Sequence, residues 1–147
     1  MMFLKSLTLA LVVTVLFSQA VLATELTSPN GVWVTGEAKA RIKLESCGNN
    51  LCGTILWLAK PLDPETGAAR LDINNPSEAL RSRALLGLQI LDMQLESDKF
   101  WRGTIYNAED GNIYNSNLRI EGDHLNLQGC VLFGLICKTQ TWTRYKE

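Results

Sequence analysis

The sequence predicts an all-β protein: an antiparallel up-and-down β-barrel of about eight strands with one short helix. Three observations carry this expectation. Residues 39–46 alternate strictly between Lys39, Arg41, Lys43, Glu45 and Ala40, Ile42, Leu44, Ser46, the period of a strand with one wet face and one core face. Residues 99–114 read as a hairpin, with Phe100, Trp101, Thr104, Ile105 and Tyr106 before a reversal on Asp110-Gly111. Segments of this kind recur along the chain with Gly, Asn and Asp between them, and closing such a meander into a barrel removes its exposed edges.

Residues 1–23 are set apart from the fold. One positive charge at Lys5, an apolar run over residues 7–17 and the small-residue site Val21-Leu22-Ala23 describe a Sec-type signal peptide cleaved before Thr24. The run is shorter than the about 20 residues a membrane span requires. The remainder, residues 24–147, is expected to be a single β-barrel domain, exported to the periplasm or secreted. The formal net charge is −1, with no basic run, which argues against a nucleic-acid partner.

In chain order, residues 31–35 form a short strand after the breaker Pro29-Asn30-Gly31. Residues 39–46 follow, turn on Gly48-Asn49-Asn50, and return as residues 51–58, which are expected to be covered on both faces near Trp57. Residues 59–83, with Pro61, Pro64, Gly67 and Pro76, are the longest irregular connection and a candidate functional loop. Within it Asn75-Pro76-Ser77-Glu78 carries an N-cap, a first-turn proline and a capping-box acid, predicting a short helix over residues 76–82. Residues 85–95 change strand phase partway, which a bulge near Ile90 reconciles. After the 99–114 hairpin, the turn Glu121-Gly122-Asp123 leads to a strand with Leu125 and Leu127 on one face, and residues 138–145 form the closing strand.

Cys47, Cys52, Cys130 and Cys137 make an even set in an exported chain, the arithmetic of disulfides. Four cysteines allow three connectivities; the local pairs Cys47–Cys52 and Cys130–Cys137 are favoured, because each brackets a strand, a turn and a returning strand. Neither spacing is a zinc knuckle and the single His124 lacks a companion ligand, so no metal is expected there.

Two patterns carry a resemblance. Gly31-x-Trp33 on the first strand with Trp142-x-Arg144 on the last resembles the calycin, or lipocalin-like, arrangement, in which a basic side chain from the closing strand covers the early Trp. Cys52-Gly53 with Ile55 and Trp57, Asp72-x-Asn74-Asn75-Pro76, Arg83-x-Leu85-x-Gly87, and Trp101-x-Gly103-x-Ile105-Tyr106-Asn107 leading to Asp110-Gly111-x-x-Tyr114 resemble the small exported bacterial family called domain of unknown function 2147. Ala108 stands where members usually have Pro. The resemblance implies a lipocalin-like barrel in the cell envelope and supplies no catalytic residue or cofactor.

Four candidate sites follow. Trp101, Tyr106 and Tyr114, with Arg83 or Arg102 as anchors, could line a cavity for a small apolar or amphipathic ligand, against the alternative of a filled interior. Trp33 and Arg144 are structural on this reading. The loop oxygens of Asp63, Asp72, Asn74 and Asn75 could approach a Ca²⁺ ion, although Asn75 is already explained as a cap. Residues 131–136, Val-Leu-Phe-Gly-Leu-Ile, could be an exposed tip for an envelope protein or an inward plug. His124, Glu109 and Asp110 are the acid–base groups available, but no nucleophile elbow accompanies them, so an enzyme is not expected. The preferred function is binding of a small apolar ligand; the alternative is an envelope protein–protein interaction module with a packed barrel.

Overall fold

The structure is a computed structural model that describes residues 28–147; the expected signal peptide lies outside the described residues. Eight strands run in order: β1 (Gly31–Val34), β2 (Ala40–Cys47), β3 (Asn50–Leu58), β4 (Gln89–Ser97), β5 (Phe100–Asn107), β6 (Asn112–Glu121), β7 (His124–Val131) and β8 (Ile136–Arg144). Each pairs antiparallel with the next, and β1 pairs with β8 to close a barrel. The expected up-and-down topology is the one observed.

Alternation decides which residues enter the interior. On β2, Ile42 and Leu44 are buried while Lys43 and Glu45 stand in water. The same face continues as Leu51 and Ile55, Leu91 and Met93, Trp101, Leu118 and Ile120, Leu125 and Leu127, and Trp142. Trp33 closes the lower end. The Arg144 guanidinium lies 4.3 Å from its ring centroid, and Arg144 donates to the Ser28 and Asn30 carbonyls at 2.7 and 2.9 Å.

The phase change in β4 is a bulge at Ile90, since Gly53 opposes Leu91 while Thr54 opposes Gln89. Gly103 admits β4 against β5: a Cβ there would lie 2.0 Å from the Asp92 carbonyl oxygen. Both disulfides form as favoured, Cys47–Cys52 and Cys130–Cys137, with Cα atoms 5.8 and 4.1 Å apart.

Two expectations are corrected. The helix over residues 76–82 is only a 3₁₀ turn, Glu78–Leu80. Asn75 does use its side chain on the Ser77 N–H, 2.9 Å, but Ser77 is extended, so the cap closes a turn rather than starting a helix. The end of β3 is not covered on both faces. A second bulge skips Leu56, because Ile42 opposes Ile55 and Arg41 opposes Trp57, and Leu56 and Trp57 are both exposed. Arg41 then stacks its guanidinium 4.7 Å from the Trp57 ring.

Candidate functional site

The irregular connection returns across the upper end of the barrel and is fastened there by one buried carboxylate. Asp72 is fully buried. Its Oδ1 accepts from the Tyr106 hydroxyl at 2.5 Å; its Oδ2 accepts from Asn75 Nδ2 at 2.9 Å and Arg83 Nε at 2.8 Å, with Arg83 Nη2 also at 2.8 Å. Asn75 donates a second bond to the Tyr106 oxygen, 3.1 Å. Burial alone would raise the Asp72 carboxyl pKa, but the Tyr106, Asn75 and Arg83 donors outweigh it and hold the group below the usual carboxylate range. Burial and the same bond push the Tyr106 hydroxyl up.

The connection is clamped a second time beside this cluster. Asn74 Nδ2 donates to the Ala108 and Glu109 carbonyls at 3.2 and 2.9 Å. Gly111, at φ 75°, sits so close that a Cβ would fall 2.0 Å from the Asn74 carbonyl oxygen. In the same turn the Tyr114 hydroxyl donates to Asp110 Oδ2 at 2.5 Å, and Asp110 Oδ1 accepts the Asn112 N–H. Asp72, Asn74, Asn75, Arg83 and Tyr106 are bonded to one another or to the facing turn, which makes the assembly a latch.

Of the five proposed ligand residues Arg83 and Tyr106 meet, the guanidinium 5.5 Å from the ring centroid, and the others lie apart from them. Trp101 is buried in the core, whereas Arg102, its neighbour on the strand, faces solvent and pairs with Glu96 at 3.2 Å. Tyr106 and Arg83 belong to the latch, and Tyr114 is held by Asp110. Two open clefts lie outside the lumen. One, about 420 Å³, lies between Lys60, Leu62 and Arg70; the other, about 570 Å³, lies over Asp92, Arg102 and Asn115 on the outer wall.

The Ca²⁺ candidates part company as well. Asp63 caps its own turn through the Glu65 and Thr66 N–H groups, Asn74 turns its amide donor toward the Ala108 and Glu109 carbonyls, and the Asn75 oxygen is taken by the Ser77 N–H. Among the described residues no three His, Cys, Asp or Glu side chains form a metal-binding group. His124 is exposed on the outer wall, far along the sheet from Glu109 and Asp110, which stay in their turn.

The segment 131–136 is a tip and not a plug. Val131, Leu132, Leu135 and Ile136 are all exposed, Leu135 at 83% and Phe133 completely so. Leu132 and Phe133 occupy the left-handed region at φ 51° and 57°, a conformation bulky residues rarely adopt. The Cys130–Cys137 disulfide ties the two strands directly beneath them.

Comparison with known proteins agrees with this architecture. A solved structure titled "Protein HP1028 from the human pathogen Helicobacter pylori belongs to the lipocalin family" superposes with a TM-score of 0.69 at 20% identity, covering 82% of this chain and 85% of that one. At that identity the likeness is one of fold, and it makes the barrel lipocalin-like. A search of curated proteins found no relative. Residues 31–144 match the family described as "uncharacterized protein conserved in bacteria", domain of unknown function 2147, and the chain belongs to that family.

Proposed function

We propose that the protein is an exported, non-catalytic interaction module, a packed barrel that presents its β7–β8 tip to a protein partner in the bacterial envelope. The single observation that carries this reading is the tip itself. Two consecutive bulky apolar side chains, Leu132 and Phe133, are held in left-handed backbone, Phe133 turned fully into solvent and Leu132 60% exposed. Strain and exposure both oppose folding, and their coincidence on a disulfide-braced hairpin is what a contact site requires. The two disulfides fit an oxidising compartment, in keeping with periplasmic or secreted residence.

The test is a photo-crosslinking residue at position 133, with a control at exposed Ile73 on the opposite loop. One discrete protein adduct is expected from position 133 alone, competed by the unmodified protein but not by a Leu132→Ser/Phe133→Ser double variant. Absence of an adduct, or equal competition by the double variant, rejects the tip.

One observation favours the ligand-binding reading in altered form. Lys138 and Gln140 share the inward face of β8 with buried Trp142, yet both are exposed, so water reaches this face of β8 beyond the Trp. A small amphipathic molecule could lodge against this face. Native mass spectrometry of gently purified protein tests it, with a retained mass expected and bare protein counting against it.

A further inference from the structure

Arg83, Arg102 and Arg144 each lie over an aromatic ring, and each also gives guanidinium N–H groups to a fixed acceptor: Asp72, Glu96, and the Ser28 and Asn30 carbonyls. Arg41 differs. Its guanidinium carbon lies 4.7 Å from the Trp57 ring centroid and 4.0 Å from that of Tyr145. The bulge that skips Leu56 sets Trp57 opposite Arg41 on one side, and the bond from the Tyr145 N–H to the Val32 carbonyl, 2.8 Å, brings the second ring from beyond β1. Among the described residues the Arg41 guanidinium has neither a hydrogen-bond acceptor nor a carboxylate partner. Its outward neighbours Lys39 and Lys43 are already neutralised, by Glu37 and Glu45 at 2.7 Å each. The facing side chains Val34 and Thr143 bring no charge. Arg119 also lacks an acidic partner, but it stands exposed over a single ring, 5.4 Å away, whereas Arg41 is half-buried.

Aromatic contact does not satisfy a guanidinium. Its donors lie in the plane of the group, so rings attract the charge and leave the N–H fork without acceptors. Two rings also restrict the side chain before any ligand arrives, which lowers the ordering cost of binding. One uncompensated positive charge with a planar fork calls for a planar monoanion, and a carboxylate meets the fork through two parallel bonds. Beside it the surface is apolar: Trp57 is 39% exposed and Leu56, in the bulge, 52%. We infer that Arg41 seats the carboxylate of a small amphipathic ligand whose apolar part lies on Trp57 and Leu56. This seat is on the outer wall, apart from the tip at Leu132 and Phe133 and from the inward face of β8, so its fate is independent of the function proposed above.

Nuclear magnetic resonance of purified protein expressed from the full-length chain tests the inference, reading the Arg41 Nε–H and the Trp57 indole N–H during titration with sodium octanoate at constant ionic strength. Saturable shifts of both signals are expected. Acetate, the head group alone, is expected to bind about tenfold more weakly or worse, and octylammonium, the same chain with the opposite charge, to leave the Arg41 signal unmoved. Arg41→Lys keeps the charge and loses the fork, so octanoate binding is expected to weaken about tenfold, while Arg119→Lys leaves it unchanged. The comparison of octanoate with acetate and octylammonium on the parent protein decides the matter if Arg41→Lys does not fold. No saturable shift at Arg41, equal affinity for acetate, an equal response to octylammonium, or unweakened octanoate binding by Arg41→Lys overturns the inference.

Discussion

Replacing Asp72 with Asn keeps the shape of the latch and removes its charge. The carboxylate accepts from three side chains, and Oδ2 alone faces Asn75 Nδ2 and two Arg83 nitrogens. An amide group turned to that side sets donor against donor; turned the other way, it displaces the Tyr106 proton from its acceptor. In either orientation Arg83 loses its counterion. Breaking a buried ion pair costs about 3–5 kcal/mol, and because the Arg83 side chain is 36% exposed and can recover water, the lower end applies, about 3 kcal/mol. For a domain of this size that is a fall of about 10 °C in melting temperature. Tyr106→Phe removes one charge-assisted bond and leaves Asp72 its other donors, so about 1.5–2 kcal/mol is expected. The pH dependence has a definite sign. A carboxyl held below its ordinary pKa stabilises the fold above about pH 4 and loses that contribution as pH falls through the lowered value. The Asn variant should therefore show a shallower acid limb than the parent, with hydrogen exchange rising in residues 72–85 ahead of the barrel strands. An Asn variant that melts within about 2 °C of the parent, with an unchanged acid limb, refutes the assignment of the latch as the fastening of this loop.

Two further predictions use the same assays. Gly111→Ala places a Cβ 2.0 Å from the Asn74 carbonyl at a backbone angle that favours glycine, so it is expected to destabilise by about 2 kcal/mol or more and to release the 72–83 strap; a neutral melt would show that the contact is not held in solution. Graded reduction followed by alkylation and mass spectrometry should open Cys130–Cys137 before Cys47–Cys52, because Cys137 is exposed and Cys52 is buried; the reverse order would contradict the burial pattern.

Much of the barrel was legible because most of its strands bury one face. Ile42 and Leu44 against Lys43 and Glu45 leave one register, and the phase slip at Ile90 could be explained by one extra residue. The helix over residues 76–82 misled because its signals are local. An Asn followed by Pro, Ser and Glu satisfies an Asx turn as well as an N-cap, and the deciding claims on Asn75 and Arg83 come from Asp72 and Tyr106, up to 31 residues away. The five ligand candidates do not converge on one face, for a reason the sequence already held. Trp101 and Tyr106 are five residues apart on one strand, and Arg102 adjoins Trp101, so a period of two sends them to opposite faces. The latch was half visible: its residues were singled out as Asp72, Asn75, Arg83 and Tyr106, but pairing an acid with a phenol across two segments needs the topology that brings the 72–83 loop over β5.

Most of the family signature and the proposed contact tip occupy different parts of the molecule, and the difference has a physical logic. Asp72, Asn74, Asn75, Arg83, Tyr106 and Gly111 bind one another across the upper end, while Trp33 and Arg144 seal the lower, so these residues are spent on holding a long irregular loop and a short β1 in place. A strap held at Asp72 and again at Asn74 fixes the β3–β4 and β5–β6 side of the barrel. The opposite side, where β8 outruns β1, has no such fastening among the described residues and leans on the Cys130–Cys137 bridge. Rigidity on one side lets the other carry features that oppose folding, namely left-handed Leu132 and Phe133, without loss of the barrel. If recognition resides there, residues 131–136 can change with the partner while the latch, which sets the fold, stays the same.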